Sequence, residues 1–180
     1  MSDAALLALY REEGKARSAF DLIIRSYGER LYWHIRKMVV SHDDANDILQ
    51  NCLVKAWNGL SSFREESKLF TWLYRIATNE VITFLKKTRS HRFLSLAEVS
   101  QQLSDILVSD PLFNGDAIQL NLQKAIAILP NKQRQVFNMR YFDELKYEEI
   151  SEILGTSVGA LKASYHHAVD KIEEYMKQHD

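Results

Sequence analysis

Apolar residues in the first half of the chain recur at three- and four-residue steps, the spacing of one helix face, rather than in alternation. Leu6, Leu7 and Tyr10 predict a short helix ending near Gly14. Phe20, Ile23, Ile24, Tyr27, Leu31 and Ile35 predict a second over about 17–40; Gly28 inside that stripe either weakens the helix or marks a close neighbour. Ser41 followed by Asp44 resembles a capping arrangement and opens a third helix through Asp47, Leu49, Leu53 and Trp57, ended by Gly59, Ser61 and Ser62. Beyond the polar loop from Arg64 to Lys68, a fourth helix carries Phe70, Leu73, Ile76, Ala77, Ile82 and Phe84.

The periodicity weakens from Thr88 to about Gly115, where Asp110-Pro111 and Asn114-Gly115 are turn signals. This stretch reads as a linker with a short helical piece over Leu94 to Leu107. The pattern then resumes with sharper punctuation. Ala117 to Leu129 is helical and stopped by Pro130; Lys132 to Tyr141 and Tyr147 to Leu154 follow. Gly155 supplies a left-handed helix end, Thr156 or Ser157 caps the next helix, and Val158, Leu161, Tyr165, Ala168 and Ile172 form its inward stripe. A short helix, a glycine turn and a longer amphipathic helix make a helix-turn-helix. The expected fold is therefore all-α: a four-helix N-terminal domain (1–90), a flexible linker (91–115) and a C-terminal helix-turn-helix domain (116–180). With six Gly and two Pro in 180 residues, a many-stranded β fold lacks its turns.

Composition narrows the class. No run approaches the roughly 20 apolar residues of a bilayer span, and Met1 to Arg11 lacks the basic flank and apolar core of a secretory signal, so a cytoplasmic protein without membrane insertion is expected. Cys52 is the lone cysteine, and no CxxC or HExxH pattern offers a metal site. The adjacent His166 and His167 point about 100° apart on a helix, and the expectation is that no acid stands at ligand spacing from them. No nucleophile–base pair or phosphate loop suggests an enzyme, a cofactor or a small-molecule substrate. The net charge of −1 argues at first against nucleic acid, but its distribution is uneven. Lys68 to Arg92 holds six bases and one acid, Glu80, while Phe93 to Ile118 holds four acids and no base.

Three surfaces are candidates. With its stripe buried, the last helix leaves Ser157, Gly159, Ala160, Lys162, Ala163, His166 and His167 outward, small residues first, as a helix entering the major groove requires. An ordinary hairpin with a wet face fits that pattern equally well. Around the fourth helix, Phe63, Phe70, Trp72 and Tyr74 interleave with Arg64, Lys68 and Arg75; aromatic faces stack unpaired bases while cations track the backbone. Phe70, Leu73 and Ile76 read as core, Trp72 and the loop less so. The third helix shows a polar side of Asp44, Asp47, Gln50, Asn51 and Lys55, which nothing in the residues alone makes a partner surface.

Taken together, the motifs resemble the extracytoplasmic-function class of RNA polymerase sigma factors. Ala45, Asp47, Gln50, Leu53 and Trp57 stand where the class has its Ala-x-Asp-x-x-Gln-x-x-Phe-x-x-x-Trp helix, which docks on the polymerase clamp. Phe70, Thr71, Trp72, Leu73, Arg75, Ile76, Ala77 and Asn79 resemble its strand-opening segment. Leu129-Pro130, Arg134, Val136-Phe137, Arg140-Tyr141, Tyr147, Glu149-Ile150, Gly155, Val158-Gly159 and Leu161-Lys162 resemble its C-terminal helix-turn-helix. The resemblance implies sigma region 2 over 1–90 and sigma region 4 over 116–180. It implies a core-polymerase surface of Asp44, Asp47, Gln50, Asn51 and Trp57. It further implies −10 DNA binding by Phe63, Arg64, Lys68, Trp72, Arg75, Asn79 and Lys86, and −35 DNA binding by the outward residues of the last helix. The implied partners are polymerase core, promoter DNA and an anti-sigma protein.

Departures from the class pattern are local. Thr83 replaces a usual Asp, Lys86 a frequent Arg and Asn51 a common Glu; Ala163 to Val169 lacks three arginines. Rival readings are a stand-alone helix-turn-helix regulator, which needs a sensing domain absent from the N-terminal pattern, and a helical scaffold that binds only proteins.

Overall fold

The computed structural model describes residues 2–39, 41–91 and 116–179; the expected helical piece over 94–107 and the linker beyond its first residue lie outside them. Among the described residues every element is a helix. They are α1 (Asp3–Arg11), α2 (Ala16–Val39), α3 (His42–Leu60), α4 (Leu69–His91), α5 (Ala117–Ala127), α6 (Asn131–Tyr141), α7 (Tyr147–Leu154) and α8 (Val158–Gln178).

Short polar side chains start these helices by accepting otherwise unpaired N–H groups of the first turn. The Ser2 hydroxyl accepts from the Ala5 N–H at 3.3 Å, Ser41 from Asp44 at 3.4 Å, Asp116 from Gln119 at 3.0 Å and Ser157 from Ala160 at 3.4 Å. Pro130 stands at the cap position of α6. Gly155 ends α7 at φ +64, a left-handed backbone that glycine adopts without a Cβ penalty. Gly28 marks no close approach: a Cβ there would meet Ile24 at an ordinary 3.5 Å, and α2 runs through it unbroken.

In the N-terminal module α2 packs against α1, α3 and α4. Its stripe of Phe20, Ile23, Leu31, Ile35 and Met38 meets Ala45, Ile48, Cys52, Ala56 and Leu60 of α3, and Leu69, Phe70, Leu73, Tyr74, Ala77 and Val81 of α4. Phe70 and Tyr74 thus belong to the core, 8 % and 1 % exposed, and only Phe63 and Trp72 of the four interleaved aromatics remain at the surface. In the C-terminal module α8 packs on α5, α6 and α7. Ala125, Ile126, Leu129, Phe137, Ala168 and Ile172 form its own apolar cluster. Arg134 is buried and ties α5 to α6, donating to the Ala127 carbonyl and to Asn131 Oδ1, each at 3.2 Å. Burial lowers its guanidinium pKa to about 10, which leaves it charged at neutral pH.

The two modules also touch. Helix α6 lies on α2, and α7 on α4. Val136, Met139, Leu145, Ile150, Ile153 and Leu161 join the same apolar cluster as the N-terminal core.

Candidate nucleic-acid interface

The loop between α3 and α4 is shaped by local bonds. The Ser62 hydroxyl donates to the Gly59 carbonyl at 2.9 Å, and the Phe63 N–H to the Leu60 carbonyl at 3.2 Å. Glu65 takes φ +59, and its carboxylate pairs with Arg11. Phe63 and Trp72 meet with ring centroids 5.1 Å apart. Gly59 has a reason to be glycine here, since a Cβ would come within 3.1 Å of the Trp72 ring. Beside this aromatic pair lies a cavity of about 460 Å³, lined by Ser62, Phe63, Arg64, Ser67, Trp72 and Arg75, with Glu66 and Glu152. It combines a stacking face and two cations at a size typical of small-ligand pockets. Of the other expected −10 residues, Lys68, Asn79 and Lys86 are exposed on or beside α4. Lys86 lines a separate cleft of about 470 Å³ against α6, α7 and α8, which includes Ala160 and Ser164. The hydroxyl of Thr83 is turned inward along the helix, donating to the Asn79 carbonyl at 2.8 Å.

The helix-turn-helix is built from α7, the Gly155 turn and α8. The Lys146 N–H donates to Glu149 at 3.1 Å, and the Gly155 N–H to the Ser151 carbonyl at 2.9 Å. Leu161, Ala168 and Ile172 are buried and Val158 and Tyr165 half-buried, so the expected stripe faces inward. Ser157, Gly159, Ala160, Lys162, Ala163, His166 and His167 are all exposed. Lys162 Nζ stands 5.8 Å from the Tyr147 ring centroid. The expectation that no acid lies at ligand spacing from the histidine pair is corrected: Asp170, one turn on, places its carboxylate 3.6 Å from His166 Nε2. Among the described residues no group of three or more His, Cys, Asp or Glu side chains could hold a metal ion.

Helix α3 presents a third face. Asp47, Gln50 and Asn51 are exposed, Asp44 half-exposed, and Trp57 is 39 % exposed while packing edge-on against Phe20 at 5.1 Å. Periodicity missed one member: Val54, 59 % exposed, lies one turn from Gln50, Asn51 and Trp57. Val54 and Trp57 make this face partly apolar as well as polar. Lys55 pairs with Glu80 of α4 and braces the helix from behind. Cys52 is fully buried on the inner side; burial first, then Glu80, pushes its thiol up to about 12, so it carries no thiolate chemistry at neutral pH.

The missed side chains that matter most lie between the modules. Asp143, in the turn after α6, places Oδ2 3.1 Å from His34 Nδ1 and Oδ1 2.5 Å from Lys37 Nζ. A carboxylate only accepts, so the His34 Nδ1–H donates, while Nε2 lies 3.0 Å from the Thr78 hydroxyl of α4. Burial by itself would raise the Asp143 carboxyl; the bonds and charges of His34 and Lys37 outweigh it and hold the group below the usual carboxylate value.

Comparison with known proteins gives a consistent result. Residues 23–91 match the family model described as sigma-70 region 2, and residues 119–172 the model described as sigma-70, region 4. The chain is 31% identical over 170 residues to the ECF RNA polymerase sigma factor SigW of Bacillus subtilis, covering 89% of this chain and 90% of that protein. It is 28% identical over 165 residues to the ECF RNA polymerase sigma-E factor of Escherichia coli K12, covering 87% and 86%. Its fold is similar to that of CnrH solved with the cytosolic domain of CnrY, with a TM-score of 0.71, 22% identity and 99% of each chain covered. It is also similar to RpoE of Bartonella quintana solved with the anti-sigma factor NepR, with a TM-score of 0.69, 23% identity, and 88% and 96% covered.

Proposed function

Because the chain belongs to the extracytoplasmic-function class of the sigma-70 family, we propose a division of its work between two modules. The protein is a transcription initiation factor and not an enzyme: it directs core RNA polymerase to specific promoters and helps open the −10 region. The proposed sigma region 2 spans 1–90, the linker 91–115 and region 4 116–180. Core polymerase docks on Asp44, Asp47, Gln50, Asn51 and Trp57, with Val54 added to that face.

The observation that carries the −10 assignment is the Phe63–Trp72 pair, with Arg64 and Arg75 around one cavity. An extruded base stacks there while Lys68, Asn79 and Lys86 continue the contact along α4. Capturing a base must offset unstacking by a few kcal/mol, which stacking at about 1–3 kcal/mol per base and polymerase contacts supply together. Duplex at the −35 element meets Ser157, Gly159, Ala160, Lys162, Ala163, His166 and His167. Among the described residues no helix is long and apolar enough to cross a membrane, and the proposed site of action is the cytoplasm. An anti-sigma protein is a further proposed partner, supported by the complexes of the two structural neighbours.

Run-off transcription with purified core polymerase over a genomic library tests this reading. Discrete new start sites are expected only when the chain is added, and native lysate fractions added to the same reaction score the inhibitor. No transcripts, with no association between chain and polymerase, would overturn it. Lys162→Ala is expected to weaken promoter duplex binding by the polymerase-bound factor. If Lys162 meets a phosphate, the salt slope should fall by about 0.9. An unchanged affinity and slope in a salt titration would remove Lys162 from the interface.

A further inference from the structure

We propose that the cleft where α4 faces α6, α7 and α8 binds a small amphipathic carboxylate, an acid with an apolar body. The site is read from the cleft alone and does not rest on the transcription assignment.

The sequence sets apolar and polar positions side by side on two helices. Ile82 and Lys86 stand four residues apart on α4; Gln135 and Val136 follow Lys132 by three and four on α6, spacings that share a helix face. Packing brings the two faces around a cavity of about 470 Å³, within the roughly 300–1,000 Å³ of small-ligand pockets. Val136 and Leu161, both buried, form its floor with Ile82 and Leu154.

Charge then selects the ligand. None of the eleven lining residues is acidic, while Lys86 and Lys132 are cations. Three other clefts each carry carboxylates: Glu66 and Glu152 in one, Glu65 and Glu149 in another, Glu29 and Asp143 in the third. Among the described residues neither lysine pairs with an acid. An anion entering here meets two cations and no repulsion.

An unmet polar group points the same way. Gln135 lines the cleft at only 5 % exposure, yet among the described residues its carboxamide makes no hydrogen bond. A buried amide without a partner costs free energy, and a carboxylate accepting from its NH2 group removes that cost. Two neighbours are already engaged: Asn131 accepts from Arg134 at 3.2 Å, and the Thr156 hydroxyl donates to the Leu154 carbonyl at 3.4 Å. The head group therefore belongs between Lys86, Lys132 and Gln135, and the body over Val136, Leu154 and Leu161. A neutral alcohol or a bare ion satisfies only half of this surface.

Octanoate, added to the isotope-labelled full chain, is the probe. Nuclear magnetic resonance signals of the Gln135 side-chain amide and the Ala160 and Ser164 backbone amides should shift and saturate together, one acid per chain. Octanol, of equal length and uncharged, should bind about tenfold more weakly. Butyrate should bind at least about thirtyfold more weakly, since each buried methylene is worth about fourfold. Lys86→Gln and Lys132→Gln should each weaken octanoate about threefold, as exposed cations do. Gln135→Met should weaken it about fivefold while the melting temperature holds or rises, because the unpaired amide is gone. No saturable shift at the cleft, octanol or butyrate binding as tightly as octanoate, or affinity unchanged in all three variants would each overturn the site. A lower melting temperature in Gln135→Met with octanoate affinity kept would do so too, making the amide purely structural. Shifts at these signals with promoter duplex but not with octanoate would assign the surface to DNA instead. Octanoate binding is read without polymerase, so its failure leaves the transcription reading standing.

Discussion

In about 0.15 M salt, the chain alone is expected to bind promoter duplex at least about a hundredfold more weakly than its complex with core polymerase. The reason is the shortage of cations. Sequence-independent affinity comes from counterions released as Lys and Arg meet phosphates, and this chain has 23 bases against 24 acids. On the outward face of α8, Lys162 is the only permanent charge among the proposed −35 contacts, and His166 already lies 3.6 Å from Asp170. Such a surface belongs in the non-specific range, roughly 10⁻⁴–10⁻⁶ M, while specific complexes reach roughly 10⁻⁸–10⁻¹¹ M. Polymerase closes that gap by supplying its own DNA contacts and by holding the modules at a fixed separation. Fluorescence anisotropy with one promoter fragment, with and without core enzyme, measures the difference. Nanomolar, sequence-selective binding by the chain alone would show that α8 needs no such help.

Tyr74→Ala is expected to destabilise the N-terminal module by about 3–5 kcal/mol, the range for emptying a large aromatic from a core. Tyr74 is 1 % exposed, its ring centroid 4.3 Å from that of Phe70 and 4.6 Å from that of His34. Its hydroxyl donates to the Arg30 carbonyl at 3.3 Å, and burial raises the phenol pKa far enough that it stays protonated. Tyr74→Phe keeps the packing and loses only that long bond, for about 1 kcal/mol or less. Since domains are stable by roughly 5–15 kcal/mol, the alanine variant gives up a large share and the phenylalanine variant a small one. Urea unfolding of the three proteins separates the cases. An alanine variant within about 1 kcal/mol of the parent would mean that Tyr74 does not anchor this core.

The same residue shows where sequence reading succeeds and where it stops. Helix positions were legible because each start carries its own chemistry, as at Ser41, Asp116 and Ser157, and because Leu161, Ala168 and Ile172 repeat at helical steps. The division of the aromatics was not. Phe63, Phe70, Trp72 and Tyr74 share one composition, and only packing shows that Phe70 and Tyr74 turn inward while Phe63 and Trp72 pair over the cavity. Val54 was missed for a related reason, since an exposed valine breaks no periodic rule until its neighbours are known. Asp143 left no signal at all. It sits in a turn, where an acid is ordinary, and its partners lie 106 and 109 residues away. Periodicity describes how each helix meets its own module and says nothing of a second module laid against it. The proposed contact residues of α3, α4 and α8 came from resemblance, and exposure is compatible with those roles without testing them.

The proposed docking face of α3, on a chain whose acids outnumber its bases, has a consequence at the scale of the cell. A genome offers millions of weak sites for any loosely cationic protein, and a factor that lingered on them would be lost to the enzyme it serves. Here the side proposed for protein is the adhesive one, and the side proposed for duplex carries a single permanent charge, Lys162. Idle copies therefore stay in circulation, and occupancy of promoters follows the number of free polymerases rather than the mass of chromosome.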